Sequence, residues 1–165
     1  MKNYFLSILF ILLINNSFAQ DLDYPRLGVG FQGSFPAWGL SAKADFDETN
    51  SAQAIIGVAG PFSSYYGRYL YNFEETGNDF LIKPYVFAQA GMYSYDYYNF
   101  SDSYLGTKTE NVFGYGAGAG IEWHYAPFTD KLRFNLEVGY SKVDFNFYNF
   151  KAIMFGAGIH YHFNL

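Results

Sequence analysis

The residue types in this chain that could do chemistry are few. Its histidines are His124, His160 and His162, and it contains no cysteine. His160 and His162 stand two apart, which on a β-strand places both imidazoles on one face, a spacing that could hold a metal. Ser141, His160 and Glu137 offer a nucleophile, a base and an acid, but a triad is defined by geometry, which spacing does not supply. The absence of cysteine removes disulfide frameworks, thiolate metal sites and thiol catalysis. A glycine-rich phosphate loop needs a strand that feeds a helix, and no stretch after Gln20 has a helical period. The net charge of −5 leaves little basic charge to neutralise phosphates, so nucleic acid is not an expected partner. Polar filling near one end of a closed sheet is the simpler reading of the histidines. No catalytic residue, cofactor or metal is expected.

Eight alternating stretches must position these side chains: Arg26 to Ser34, Ala37 to Phe46, Ala52 to Gly60, Tyr65 to Phe73, Ile82 to Tyr93, Val112 to Tyr125, Lys131 to Ser141 and Ala152 to Phe163. Each reads as a strand with one apolar face. The connections carry turn residues, as in "DETNS" after Phe46 and "EETGND" after Phe73. Consecutive strands with short connections predict an antiparallel meander. Aromatic residues make up 23% of the chain and charged residues only 15%, while mean hydropathy is near zero at −0.06. That is β-rich composition, not a bundle of membrane helices. Before the first strand, Lys2, the apolar run Tyr4 to Ile14 and the small residues Ser17 and Ala19 form the three parts of an export signal. Residues 1–19 are expected to be a cleavable signal peptide and 20–165 a single β-barrel domain.

Two architectures share the alternation. In a soluble, secreted lipocalin-like barrel the apolar face packs inside, where it binds an apolar ligand. In a membrane barrel the apolar face meets lipid, and polar and small residues fill the bore. Three features favour the second. The last four stretches run about 11 to 14 residues, against the ~5–6 usual in globular sheets and the ~9–11 that span a bilayer. Lys43, Asp45, Arg68, Lys83, Glu122, Arg133 and Glu137 all fall on the face opposite the apolar one. Closing the hairpin around "APFT" places Glu122 opposite Arg133, which suits an enclosed interior. Aromatic residues also bracket small ones: Phe113, Tyr115, Trp123 and Tyr125 around Ala117 and Ala119, and Trp38 and Phe46 around Leu40, Ala42 and Ala44. Tyr and Trp prefer the headgroup level. Against this, Ile55, Tyr66, Leu70, Tyr85, Phe87 and Met154 also fall on the inward face, as they would in a soluble core.

The expected fold is an eight-stranded antiparallel up-and-down transmembrane β-barrel. Its interior polar cluster is Lys43, Arg68, Glu122, Arg133, Glu137, His160 and His162. Gly114, Gly116, Gly118 and Gly120 point inward, with Tyr85 and Phe87 lying across them. The long polar segment Ser94 to Asn111 reads as an extracellular loop, and Tyr95, Tyr97, Tyr98, Phe100 and Tyr104 are its candidate contacts for an external ligand or protein.

Signal, eight alternating strands and tyrosine-rich loops together resemble the small outer-membrane β-barrel domain family of Gram-negative bacteria, over about Leu27 to Leu165. In the closing segment "MFGAGIHYHFNL", Gly156, Ile159, Tyr161 and Phe163 resemble the signal by which such barrels are recognised for assembly, here followed by Asn164 and Leu165. The resemblance implies an integral outer-membrane protein with lipid and the barrel-assembly machinery as partners. Its role would be structural or cell-surface interaction. The family also includes lipid hydrolases, which keeps the Ser141, His160 and Glu137 set as a second alternative.

Overall fold

The structure, a computed structural model, describes residues 24–34, 37–99, 106–146 and 149–164. The expected signal peptide lies outside them, as do Phe100 and Tyr104. The described residues form eight strands: β1 (Arg26–Ser34), β2 (Ala37–Asp45), β3 (Asn50–Ala59), β4 (Phe62–Asn72), β5 (Phe80–Asn99), β6 (Gly106–Tyr125), β7 (Leu132–Asp144) and β8 (Asn149–Asn164). Each pairs antiparallel with the next, and β8 closes on β1 with Arg26 opposite Asn164 and Ser34 opposite Gly156. Closure leaves no sheet edge along the paired wall, which backbone in lipid requires. The β2–β3 turn is held by Asp47, whose carboxylate accepts 2.7 Å hydrogen bonds from the Thr49 and Asn50 backbone N–H groups. The Asn50 side-chain amide, together with these two backbone bonds, holds the Asp47 carboxyl below the usual carboxylate range.

The faces divide by parity. On β4, Ser64, Tyr66, Arg68, Leu70 and Asn72 are buried while Tyr65, Tyr69 and Tyr71 are exposed. Around the wall Leu40 (62%), Ile56 (54%), Val58 (62%), Leu136 (52%), Ile153 (66%) and Phe155 (69%) face outward. Covering a large apolar side chain rather than leaving it in water gains ~1.5–3 kcal/mol, so an outer face like this one needs an apolar medium around it. The soluble, ligand-enclosing alternative fails here: the apolar face is outside, and the bore holds the charges.

The inward glycines make room for their neighbours on β5. Tyr85 lies opposite Gly120 and Phe87 opposite Gly118. A Cβ at Gly118 would come within 2.7 Å of the Phe87 ring, and one at Gly120 within 2.5 Å of the Tyr85 ring.

The sequence reading needs two corrections. The segment Ser94 to Asn111 is not a loop throughout. β5 and β6 continue through it as a paired hairpin, with Ser94 opposite Asn111, Asp96 opposite Thr109 and Asn99 opposite Gly106. Ser94 Oγ donates to Asn111 Oδ1 (2.6 Å) and Thr109 Oγ1 to Asp96 Oδ1 (2.6 Å). Likewise β7 runs on to Asp144 and β8 begins at Asn149, so Val143, Asp144, Asn149 and Phe150 of "VDFNFYNF" belong to strands. In both hairpins the outward residues turn from apolar (Met92, Phe113, Tyr140) to polar (Ser94, Asn111, Lys142, Asp144) while the strand continues. Polarity there marks the end of the lipid rather than the end of the strand.

The second correction concerns register. Asn135, not Arg133, lies opposite Glu122, because the β6–β7 connection spans 126–131 rather than the four residues assumed. A slip of two keeps the face and changes the partner. Arg133 still reaches Glu122 diagonally, with Nη1 3.1 Å from Oε1.

Candidate functional site

The bore is filled in three layers. In the middle, Arg68 of β4 meets Glu137 of β7 in a two-pronged pair: Nη1 donates to Oε2 and Nη2 to Oε1, both at 2.8 Å. Neither side chain has any exposure. Arg68 Nε also donates to Gln89 (2.9 Å), Nη2 to Ser34 Oγ (3.1 Å), and its guanidinium lies 4.6 Å from the Phe87 ring centroid. Tyr85 OH donates to Glu137 Oε2 at 3.2 Å. Such parallel charged bonds are the strong kind, and burial makes them costly to break from one side.

Toward the chain ends lies a second ionic layer. Lys43 Nζ donates to Glu122 Oε2 (2.6 Å) and sits 3.4 Å from Asp45 Oδ1. Arg133 takes the other Glu122 oxygen and stands 3.6 Å from Glu75 of the β4–β5 connection. Asp45 also accepts from Ser51 Oγ (2.6 Å) and faces His162 Nδ1 at 3.3 Å. His160 Nε2 bonds Ser41 Oγ at 2.9 Å. The third layer, toward the hairpin tips, is aromatic and apolar: Ile55, Tyr66, Tyr93, Val143 and Phe145, with Phe62 and Tyr95 packed on them. Phe62 and Tyr95 are 4.7 Å apart between centroids.

The seven expected cluster residues are thus all buried but fall into two ionic groups, Arg68 with Glu137 and Lys43 with Glu122 and Arg133. His162 joins the second, and His160 hydrogen-bonds Ser41. The hydrolase set does not assemble. Ser141 lies opposite Ala152, His160 lies opposite Arg133 at another level, and Glu137 is held by Arg68. Nor do the histidines converge: among the described residues no three His, Asp or Glu side chains are placed to hold a metal. Of the loop candidates, Tyr95 packs into the aromatic layer and stacks on Tyr97 with centroids 6.2 Å apart. For Tyr98 only the backbone is described. The partners Ser34, Ser41 and Gln89 are buried on the inward face, where strand alternation carries them. Glu75 lies in a turn, where parity is silent.

The sequence model of the outer membrane protein beta-barrel domain matches residues 20–163. Among solved structures, the N-terminal β-barrel domain of Pseudomonas aeruginosa OprF is similar at 17% identity and a TM-score of 0.48, covering 84% of this chain and 96% of that one. Neisserial surface protein A (NspA) is similar at 14% identity and a TM-score of 0.47, covering 85% and 94% respectively. No curated protein sequence matches the chain.

Proposed function

The chain belongs to the outer membrane protein beta-barrel domain family, and from that premise we propose that it is a filled outer-membrane barrel with a structural or cell-surface interaction role and no catalytic activity. The observation that carries this reading is the bore itself, where Arg68–Glu137 and Lys43–Glu122–Arg133 join strands on different sides of the wall while Tyr66, Tyr93 and Phe145 pack one mouth. Eight strands leave an interior just wide enough for side chains.

In this reading residues 1–19 are removed on export, on the strength of Lys2, the apolar run Tyr4 to Ile14 and the small residues Ser17 and Ala19. The chain ends face the periplasm, so the projecting β5–β6 hairpin lies outside the cell and carries any contact with an external ligand or protein. Membrane lipid surrounds the wall, and β8, ending in Tyr161, Phe163 and Asn164, is the strand presented to the assembly machinery. Conductance across planar bilayers tests the filled bore. The purified barrel is expected to leave the bilayer electrically silent at moderate voltage; a steady, porin-like open level would refute the reading.

A further inference from the structure

Burying an ammonium is costly unless a counter-charge comes with it. Lys83 of β5 is 7% exposed. Its Nζ donates to the Tyr24 phenol at a long 3.4 Å and lies 5.8 Å from that ring's centroid. Among the described residues it makes no ion pair. The carboxylates closest to its layer are already engaged: Glu122 by Lys43 and Arg133, Asp45 by Lys43 and Ser51, and Glu75 by Arg133. Lys83 lines a polar cleft of about 400 Å³ at the mouth beside the chain ends, between the entry to β1, the β2–β3 turn and the β4–β5 connection. Arg26 also lines the cleft, with its guanidinium over the Tyr24 ring at 5.0 Å. Glu48 and Glu74 line it as well, both exposed and in no ion pair among the described residues.

The cleft therefore offers a buried cation and exposed, unpaired carboxylates. A simple anion would satisfy Lys83 but meet repulsion from the two glutamates, and a simple cation would do the reverse. We propose that this cleft binds a small zwitterion, with a carboxylate against the Lys83 ammonium and an ammonium toward Glu48 and Glu74. A volume of about 400 Å³ accommodates a linear molecule of several carbons. The site borders the second ionic layer, since Lys83 lies opposite Glu122 and Glu75, which pairs with Arg133, also lines the cleft, but it opens at the mouth and does not depend on whether the barrel conducts.

The test titrates 6-aminohexanoate into the barrel purified in a nonionic detergent, by calorimetry, with hexanoate and hexylamine as single-charge controls. Saturable binding of 6-aminohexanoate is expected, about tenfold or more tighter than either control, the worth of one charge-assisted hydrogen bond. Lys83→Gln should weaken it by a similar factor. Because that substitution alters a buried position, the pair Glu48→Gln and Glu74→Gln, both exposed, provides the second variant and should also weaken binding while leaving hexanoate unaffected or tighter. No saturable binding, equal affinity for hexanoate and 6-aminohexanoate, or affinity unchanged in either variant would overturn the proposal.

Discussion

Replacing Glu137 with alanine removes the acceptor of both 2.8 Å guanidinium bonds and of the Tyr85 hydroxyl. Arg68 would keep Gln89, Ser34 and the Tyr66 and Phe87 rings, none of them a counter-charge, in a site with no solvent contact. Hydrogen bonds to charged groups contribute about 1.5–3 kcal/mol each, and breaking a buried pair from one side costs about 3–5 kcal/mol. The two estimates agree, so Glu137→Ala should destabilise by about 3–5 kcal/mol, more than a hundredfold in the folding equilibrium. Removing both charges should cost far less than the sum of the single changes, because no orphan ion remains. The double variant Arg68→Met with Glu137→Leu tests this. Urea unfolding in lipid vesicles of the parent, Arg68→Met, Glu137→Leu and the double variant, followed by the fluorescence of Trp38 and Trp123, gives the four corners of a double-mutant cycle. A single-variant cost below about 1 kcal/mol, the range of a solvated surface pair, would refute the enclosed-bore argument, as would simple additivity in the cycle.

Two further predictions concern the wall. Gly118→Ala should destabilise by about 1–3 kcal/mol through overpacking, since its Cβ would meet the Val138 carbonyl oxygen at 2.5 Å and the Gly139 Cα at 2.7 Å, backbone that cannot step aside. Gly67→Ala, whose Cβ meets nothing nearer than the Gln53 carbonyl oxygen at 4.0 Å, should be neutral or stabilising by about 0.4–1 kcal/mol; the same urea titration checks both. Ala117→Arg on the outward face should cost about 2–4 kcal/mol if that site is mid-bilayer, whereas Asp96→Arg, beyond the Met92 to Ser94 boundary, should leave insertion unchanged. Heat-modified gel mobility of the membrane fraction reads both, and equal insertion of the two variants would remove the boundary drawn on β5.

Strand identity, face and order follow from the chain itself, because alternation is a local property and every second side chain must share a face. That is why Arg26 to Ser34 matches β1 to the residue, and why Lys43, Arg68, Glu122, Arg133 and Glu137 were legible as inward before any partner was known. Parity also placed Tyr85 and Phe87 on the side of the glycines.

Partners were not legible in the same way. A register slip of two residues leaves every face unchanged, so only the folded barrel decides that Asn135 sits opposite Glu122 and that Arg68 finds Glu137 across 69 positions of sequence. The extent of β5 and β6 was hidden for a different reason. Apolar-outward alternation signals a strand only while lipid lies against it, and above Met92 the outer face turns to water while the backbone ladder continues. The near-mouth cleft draws Tyr24, Glu48, Glu74 and Lys83 from the entry to β1, two connections and a strand, and no periodicity relates residues that meet only when the barrel closes.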